Sequence, residues 1–534
     1  GWIAGPTPKE FTRVNDAFRI GETVEKSLVI LNDSRREQTI GWAWKAGAES
    51  GKGNVTVKPG CRADVPVKFT ASADTKEITA GFRCAATGWK ASDTFALNIL
   101  PSLKQSNNQT IQTIKQLSLF DPEGGAKTLL KSLGVRFSEV KAAPASGLLV
   151  IGRNAFSKAP FDVLAAANAG VKVVVLEQDA ATLKKLGFRY QEHGLRNLFA
   201  AVPEFAKLDL TDWRGNSTLI PEYLNEDKMK GDWATTDWEG FKNRRVWRAG
   251  NRGIVSCVLP EKPTKGDFMP ILHGGFDLQY APVMEYSELG KRVFLSQLDL
   301  CSRTETAPEA VEALAKILEY ADRPVSKAKS EVLMLAGWDL QKKALDAVGI
   351  KYRTVNAATD AKAGDILVIG PGTQSGDVTE LVKKGVKILC LNLKGSDINK
   401  IYPAAKATDT KWTEYPDFNE DLATEPLFRG VSNADIQWNY PSCIGNLARF
   451  DGGKVLKAFH DGDGVIVFST ISQGTFDEKE INLRHNRRRA QGLITRLIAN
   501  LGGAVDDTFL KGTGAKLYAD KPEMNDDPYR YYRW

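Results

Sequence analysis

The sequence predicts a multi-domain chain: an antiparallel β-sandwich followed by two doubly wound α/β domains. Three observations predict this. Residues 10 to about 100 alternate apolar and polar with period two, the pattern of half-buried strands. Further on, short continuous apolar runs alternate with amphipathic helical stretches, the pattern of a parallel sheet covered on both faces. That second pattern then recurs, with Gly134 and Gly349, Gly152 and Gly370, and Gly170 and Gly385 separated by 215, 218 and 215 residues.

The strands of the sandwich follow from one-sided stripes: Leu28 and Ile30; Ile40, Trp42 and Trp44; Val65, Val67 and Phe69; Ile78, Ala80, Phe82 and Cys84; and Phe95, Leu97 and Ile99. Turn signals ("NDS", "KPG", "ATG") separate them. Cys84 falls in phase with its stripe and reads as a small core residue; a bond to Cys61 is left open. The sandwich is assigned to 1–105, and the polar "SLKQSNNQT" (102–110) reads as a linker.

The first α/β unit, 112–325, starts with "LSLF", the helical "GAKTLLKSLGV", "GLLVIG", the helical "FDVLAAANAG" and "VKVVVLEQ". The second, 326–505, repeats the order with "EVLMLAG", "KKALDAVGIKYRTV", "DILVIG" and "KKGVKILCLN". Each closes on a late strand, "KRVFLSQLDL" or "DGVIVFSTIS", and a helix, "PEAVEALAKILEYA" or "RRAQGLITRLIANLGG". In the last helix Leu493, Ile494, Leu497, Ile498 and Leu501 form one stripe. The basic "RHNRRR" (484–489) reads as a solvated helix start beside acids, and "HDGDG" (460–464) as a hairpin turn. An aromatic tail, 506–534, ends the chain.

Composition bounds the function. At 534 residues the chain should hold about three or four domains. It is 42% hydrophobic and 26% charged, as soluble globular proteins are. The net charge of +7 is small against 72 basic and 65 acidic residues, and no basic face with interleaved aromatics suggests nucleic acid. No apolar run reaches the ~18 residues of a membrane span. The six Cys are scattered, with no CxxC and no His at ligand spacing, so neither a zinc site nor a disulfide framework is expected. No catalytic residue, metal-ligand set or cofactor motif emerges. The opening "GWIAGPTPKEF" has no initiator Met and no leader, and reads as a piece of something longer, with a signal peptide absent or removed.

The segment 209–252 stands out for holding Trp213, Trp233, Trp238 and Trp247, four of the chain's 12 Trp, beside Asp and Arg. Three readings stay open: an insertion packed on its own domain, a protein interface, or a sugar-stacking surface. Asp212, Trp213, Arg214, Trp233 and Trp238 are its candidate ligand-binding residues. Glu177, at the strand end where an α/β fold usually presents its crevice, is the sixth candidate.

Two such doubly wound units resemble the class I glutamine amidotransferase fold, a flavodoxin-like α/β arrangement. That family places a Cys at the elbow after a strand, and a His and a Glu after a late strand. Here the elbow positions are Glu177 and Asn392, the His positions fall near Ser296 and Ser469, and the Glu positions near Leu298 and Ile471. The resemblance therefore carries a fold without the triad, and Cys390, two residues before its elbow, reads as core. The N-terminal "WIAGPTPKEFTRVNDAFRIGETVEKSLVILNDSRREQTIGW" resembles the immunoglobulin-like domain that follows the catalytic barrel in β-galactosidase-like enzymes of glycoside hydrolase family 2 type. The matching residues are Gly21, Glu22, Val24, Lys26, Asn32, Asp33 and Ser34, with the "DPYR" tail at Asp527, Pro528, Tyr529 and Arg530. Related family 42 β-galactosidases carry a degenerate amidotransferase-like domain used for trimerisation.

The resemblance implies the non-catalytic C-terminal part of a glycoside hydrolase. It implies a (β/α)₈ barrel upstream of Gly1, in the same polypeptide or a separate chain, a homo-oligomer, and oligosaccharide as a candidate ligand. It also implies a secreted, periplasmic or cell-surface location. The alternatives are a hydrolase with its own carboxylate site and a free-standing glycan-binding or scaffold protein.

Overall fold

Period-two alternation needs a sheet with one wet face and one dry face, and the N-terminal strands find it in two antiparallel sheets. The computed structural model describes residues 1–6, 15–102, 114, 116–191, 194–219, 235–238, 241–244, 252–275, 278–337, 339–410, 419–436, 447–471 and 484–519. Within it, Thr23–Asn32 pairs with Trp2–Ala4 and with Cys61–Thr70. Gln38–Ala46 pairs with Glu49–Val57 and Glu77–Cys84, which pairs with Lys90–Ala96. Leu28, Ile30, Ile40, Val67, Phe69, Ile78 and Phe82 are buried in one core between the two sheets. Cys84 is buried and Cys61 exposed, both as free thiols, so the bond left open by the sequence does not form.

The motif residues of this region have structural roles. Gly21 takes a φ of 87°, where a side chain would be strained. Lys26 is 1% exposed, donates to the Asn15 carbonyl at 2.6 Å and lies 4.0 Å from the Phe95 ring centroid. Asn32 closes its turn by accepting from Ser34 N at 3.0 Å and donating to Val57 O at 2.7 Å.

The two parallel sheets follow the repeat. In the first, Ser138–Glu139, Leu117–Phe120, Leu148–Ile151, Lys172–Val175 and Lys291–Ser296 lie side by side in parallel. In the second, Arg353–Val355, Val332–Leu335, Ile366–Ile369, Lys387–Leu391 and Gly464–Ser469 do the same. Each strand sends alternate residues into two separate cores. Val332, Ile366 and Leu389 face the side of helix Arg484–Asn500, and Leu333, Leu367 and Ile388 the other. That is why these strands are apolar throughout rather than alternating. Gly170 and Gly385, at φ 102° and 92°, stop the preceding helices in the left-handed conformation that an L side chain resists.

Gly464 starts the late strand against the carbonyls of Val382 and Val386, where an added Cβ would sit 2.1 and 2.5 Å away. Gly464→Ala is therefore expected to lower stability by about 1–3 kcal/mol in urea unfolding, since backbone rather than a side chain would have to move.

Beyond the repeat, the two units differ. The first sheet is extended by the antiparallel strands Tyr280–Glu288, Phe268–Gly274 and Phe199–Ala200, which the repeat does not predict. Among the described residues the second adds only Leu456–Asp461, whose hairpin turns where "HDGDG" places it. The basic helix start is not solvated, contrary to the sequence reading. Arg487, Arg488 and Arg489 are buried, because this helix packs against the first unit: Arg488 pairs with Glu261 at 3.3 Å and Arg496 with Asp267 at 2.7 Å. The chain after this helix also returns to the first unit. Phe509 joins the cluster of Phe188, Phe268 and Tyr286, and Tyr518 donates to Glu261 O at 2.8 Å. The chain is thus multi-domain and sheet-rich, with eight sheets among the described residues and few helices. No described helix is long and apolar enough to cross a membrane.

Candidate functional site

Parallel strands all end on one side, so their carboxyl ends make the natural crevice of such a sheet. In the first unit that place is filled by protein. Glu177, two residues past the strand Lys172–Val175, is 0% exposed. Its Oε1 accepts from the Cys301 N–H and, at 3.4 Å, from Ser302 Oγ, while its Oε2 is buried with no hydrogen-bond partner. Burial raises this carboxyl to about 7, with the charge of Asp299 adding to it and the Cys301 N–H and Arg153 opposing. Asp299, also 0% exposed, accepts from Cys257 Sγ at 3.4 Å and from Arg303 Nη1 at 2.9 Å. Burial pushes both thiols, Cys257 and Cys301, well above their ordinary value, so neither is a thiolate nucleophile.

The start of the Trp-rich segment is tied to this nest through Arg303. Trp213–Asn216 pairs with Arg252–Gly253 as a short strand. Arg303 reaches up from below and donates to the carbonyls of Trp213 at 2.7 Å, Arg214 at 2.6 Å and Gly215 at 3.0 Å. Glu177 and Asp299 are a pair of enclosed carboxyls, and neither reaches solvent.

In the second unit Asn392 holds the elbow in the left-handed conformation, φ 58°, its N–H donating to Ser469 O at 3.0 Å. Cys390 lies in the core with its thiol pushed far up by burial, as its phase in the strand predicts. Ser296, Leu298, Ser469 and Ile471 are all buried. His273 is buried and held neutral, lowered to about 3 by desolvation and then by Lys262, and His460 sits on the exposed hairpin 3.0 Å from Glu425.

The structure separates the candidates of the insertion. Trp213 is 0% exposed, donates to Asp209 O at 2.7 Å and has the Arg303 guanidinium 5.8 Å from its ring centroid, so it offers no face to a sugar. Arg214 is committed to the sandwich, bonding Glu22 at 2.6 Å and lying over Phe18. Asp212 is half-buried at φ 46°, 3.9 Å from Arg196, with its carboxyl raised by burial. Trp238 ends a strand, Thr235–Trp238, paired with Phe241–Arg244 and with Gln191. Trp233 and Trp247 lie outside the described residues.

An open cleft lies between the two α/β units instead, lined by Lys262, Phe268, Pro270, Asp435, Arg488 and Leu493 among others. Its charges are paired across it, Lys262 to Asp435 at 3.0 Å and Arg488 to Glu261. Sequence reading could not find it, because its walls come from both units. The described residues also bring Asp16, Asp209 and Glu309 together in a grouping that could hold a metal ion. The one sequence signal for it is an acid, Glu309, at the start of an otherwise apolar helix face.

No family model matches the chain, and no curated protein does. Solved structures overlap parts of it. An alkylpurine DNA glycosylase AlkC of Pseudomonas fluorescens shares 10% identity over 18% of this chain and 29% of its own, with a TM-score of 0.13. A cycloisomaltooligosaccharide glucanotransferase of Paenibacillus sp. shares 12% over 26% and 19%, at 0.13. A β-glucuronidase of Bacteroides uniformis shares 12% over 33% and 22%, at 0.14. Two of these three are carbohydrate-active enzymes. The chain spans less than a third of the length of each, and scores at this level define no common fold.

Proposed function

We propose that this chain is a non-catalytic accessory region of a β-galactosidase-like glycoside hydrolase. In this reading an immunoglobulin-like sandwich (1–105) carries two amidotransferase-like α/β domains (112–325 and 326–505) and an aromatic tail. The observation that carries it is the closed strand end of the first sheet: Glu177 stands where a nucleophile would, fully enclosed. The "GE-V-K" and "NDS" residues of the sandwich support the family context. A (β/α)₈ barrel, in the same polypeptide or a separate chain, then supplies the catalytic carboxylates. This region contributes assembly as a homo-oligomer, substrate access or glycan contact, in a secreted, periplasmic or cell-surface setting.

The test is turnover of aryl β-glycosides and aryl esters by the isolated chain. The reading expects no release of nitrophenol above buffer from wild type or Glu177→Gln. Turnover that Glu177→Gln abolishes would overturn it in favour of a hydrolase acting through this carboxyl.

A further inference from the structure

Three carboxylates meet where the sandwich joins the first α/β unit. Asp16 immediately precedes the strand Ala17–Arg19, Asp209 lies just before Trp213–Asn216, and Glu309 is in the first turn of helix Pro308–Ala321. One oxygen of each lies within 4.8 Å of the others. A group of acids alone is ordinary surface. Glu309 makes this one different. It is 3% exposed, and both of its carboxylate oxygens are buried with no hydrogen-bond partner. Asp16 Oδ1 is also buried and unpartnered. A carboxylate oxygen hidden from water without a donor costs several kcal/mol, so the group must either keep a proton or hold a cation. Among the described residues, the basic side chains nearby donate their hydrogen bonds elsewhere, although the charges of Lys26 and Arg214 act on Asp16 and Glu309. Arg19 donates to Glu312 and the Pro308 carbonyl, both at 3.1 Å, and Arg214 to Glu22 at 2.6 Å; Lys26 donates to Asn15 O at 2.6 Å.

We propose that Asp16, Asp209 and Glu309 bind one hard divalent cation, calcium foremost, which ties the sandwich to the first α/β unit. The donor set is all oxygen, without His or Cys, which selects against zinc and copper. Calcium takes such oxygen ligands in flexible geometry, whereas magnesium demands a near-ideal octahedron. Water completes the shell. The ion adds to contacts that already cross this junction, Asn98 to Asp209 at 3.0 Å and Arg19 to Glu312. Burial, and then the charge of Asp209, raises the Glu309 carboxyl to about 7.

The test uses the whole chain. Trp213 donates to the Asp209 carbonyl at 2.7 Å and is placed to sensitise a bound terbium ion. Terbium luminescence under indole excitation is expected, displaced by calcium with a dissociation constant of about 0.1–1 mM, and abolished in Glu309→Gln. Calcium at tenfold that concentration is expected to raise the thermal midpoint over that in EDTA by about 2–4 °C in wild type, and not in Glu309→Gln. If that variant does not fold, Asp209→Asn replaces it with the same expectation. An identical wild-type midpoint in EDTA and in about 10 mM calcium, with no calcium-displaceable terbium signal, would overturn the site. So would a full calcium response in both variants. A larger response to magnesium would overturn the assignment to calcium.

Discussion

Arg303→Met is expected to cost about 3–5 kcal/mol of unfolding free energy, the largest loss from any single side chain around the closed strand end. The Arg303 side chain is 1% exposed and binds Asp299 at 2.9 Å. It also donates to the carbonyls of Trp213, Arg214 and Gly215, and to that of Ile254. Removing it leaves a carboxylate at 0% exposure uncompensated and several carbonyls without donors. A Met fills most of the volume, so the loss is electrostatic rather than a cavity. The check is urea unfolding followed by far-ultraviolet circular dichroism. The double variant Arg303→Met/Asp299→Leu should recover much of the loss, because the stranded charge goes with its partner. A single-variant loss below about 1 kcal/mol would mean that water satisfies these groups.

Glu177→Gln is expected to stabilise the protein at pH 8 and to leave it nearly unchanged at pH 5. The folded carboxyl titrates near 7, above its ordinary value near 4.5. The fold therefore favours the protonated form. Its stabilisation is complete below the unfolded value and is lost as pH rises through 7, an effect of about 3 kcal/mol by linkage. Burial wins over the Cys301 N–H and Arg153 because no water reaches the carboxyl to share the charge. Gln keeps the shape and drops the charge, so the gain at pH 8 should be about 1–3 kcal/mol. Glu309 also titrates near 7 and slopes the same way, so both proteins are compared in EDTA and the difference between them isolates Glu177. Equal destabilisation by Glu177→Gln at pH 5 and pH 8 would show that the fold uses the carboxylate instead.

Much of the fold is legible in the sequence because it depends on local period. Ile366 to Ile369 is apolar without a break, and both its faces are buried. Ile78, Ala80, Phe82 and Cys84 alternate, and one face is buried. Gly170 and Gly385 mark helix ends because left-handed backbone favours a residue without Cβ. The hairpin Phe268–Gly274 with Tyr280–Glu288 was not legible. Its strands are buried on both faces by other parts of the chain, so they do not alternate, and nothing in the repeat announces them. The basic helix start misled for a related reason. A run of Arg looks solvated until an acid from elsewhere, Glu261, is packed against it.

The candidate site divides along the same line. The sequence alone determined that Glu177 and Asn392 stand at matching places in the repeated strands, since that requires only counting along them. Only the tertiary structure decided that Glu177 is sealed in, that Trp213 is buried rather than a sugar platform, and that Asp16, Asp209 and Glu309 converge. Burial and charge grouping are properties of what the rest of the chain brings near a residue, and those neighbours stand far away in sequence.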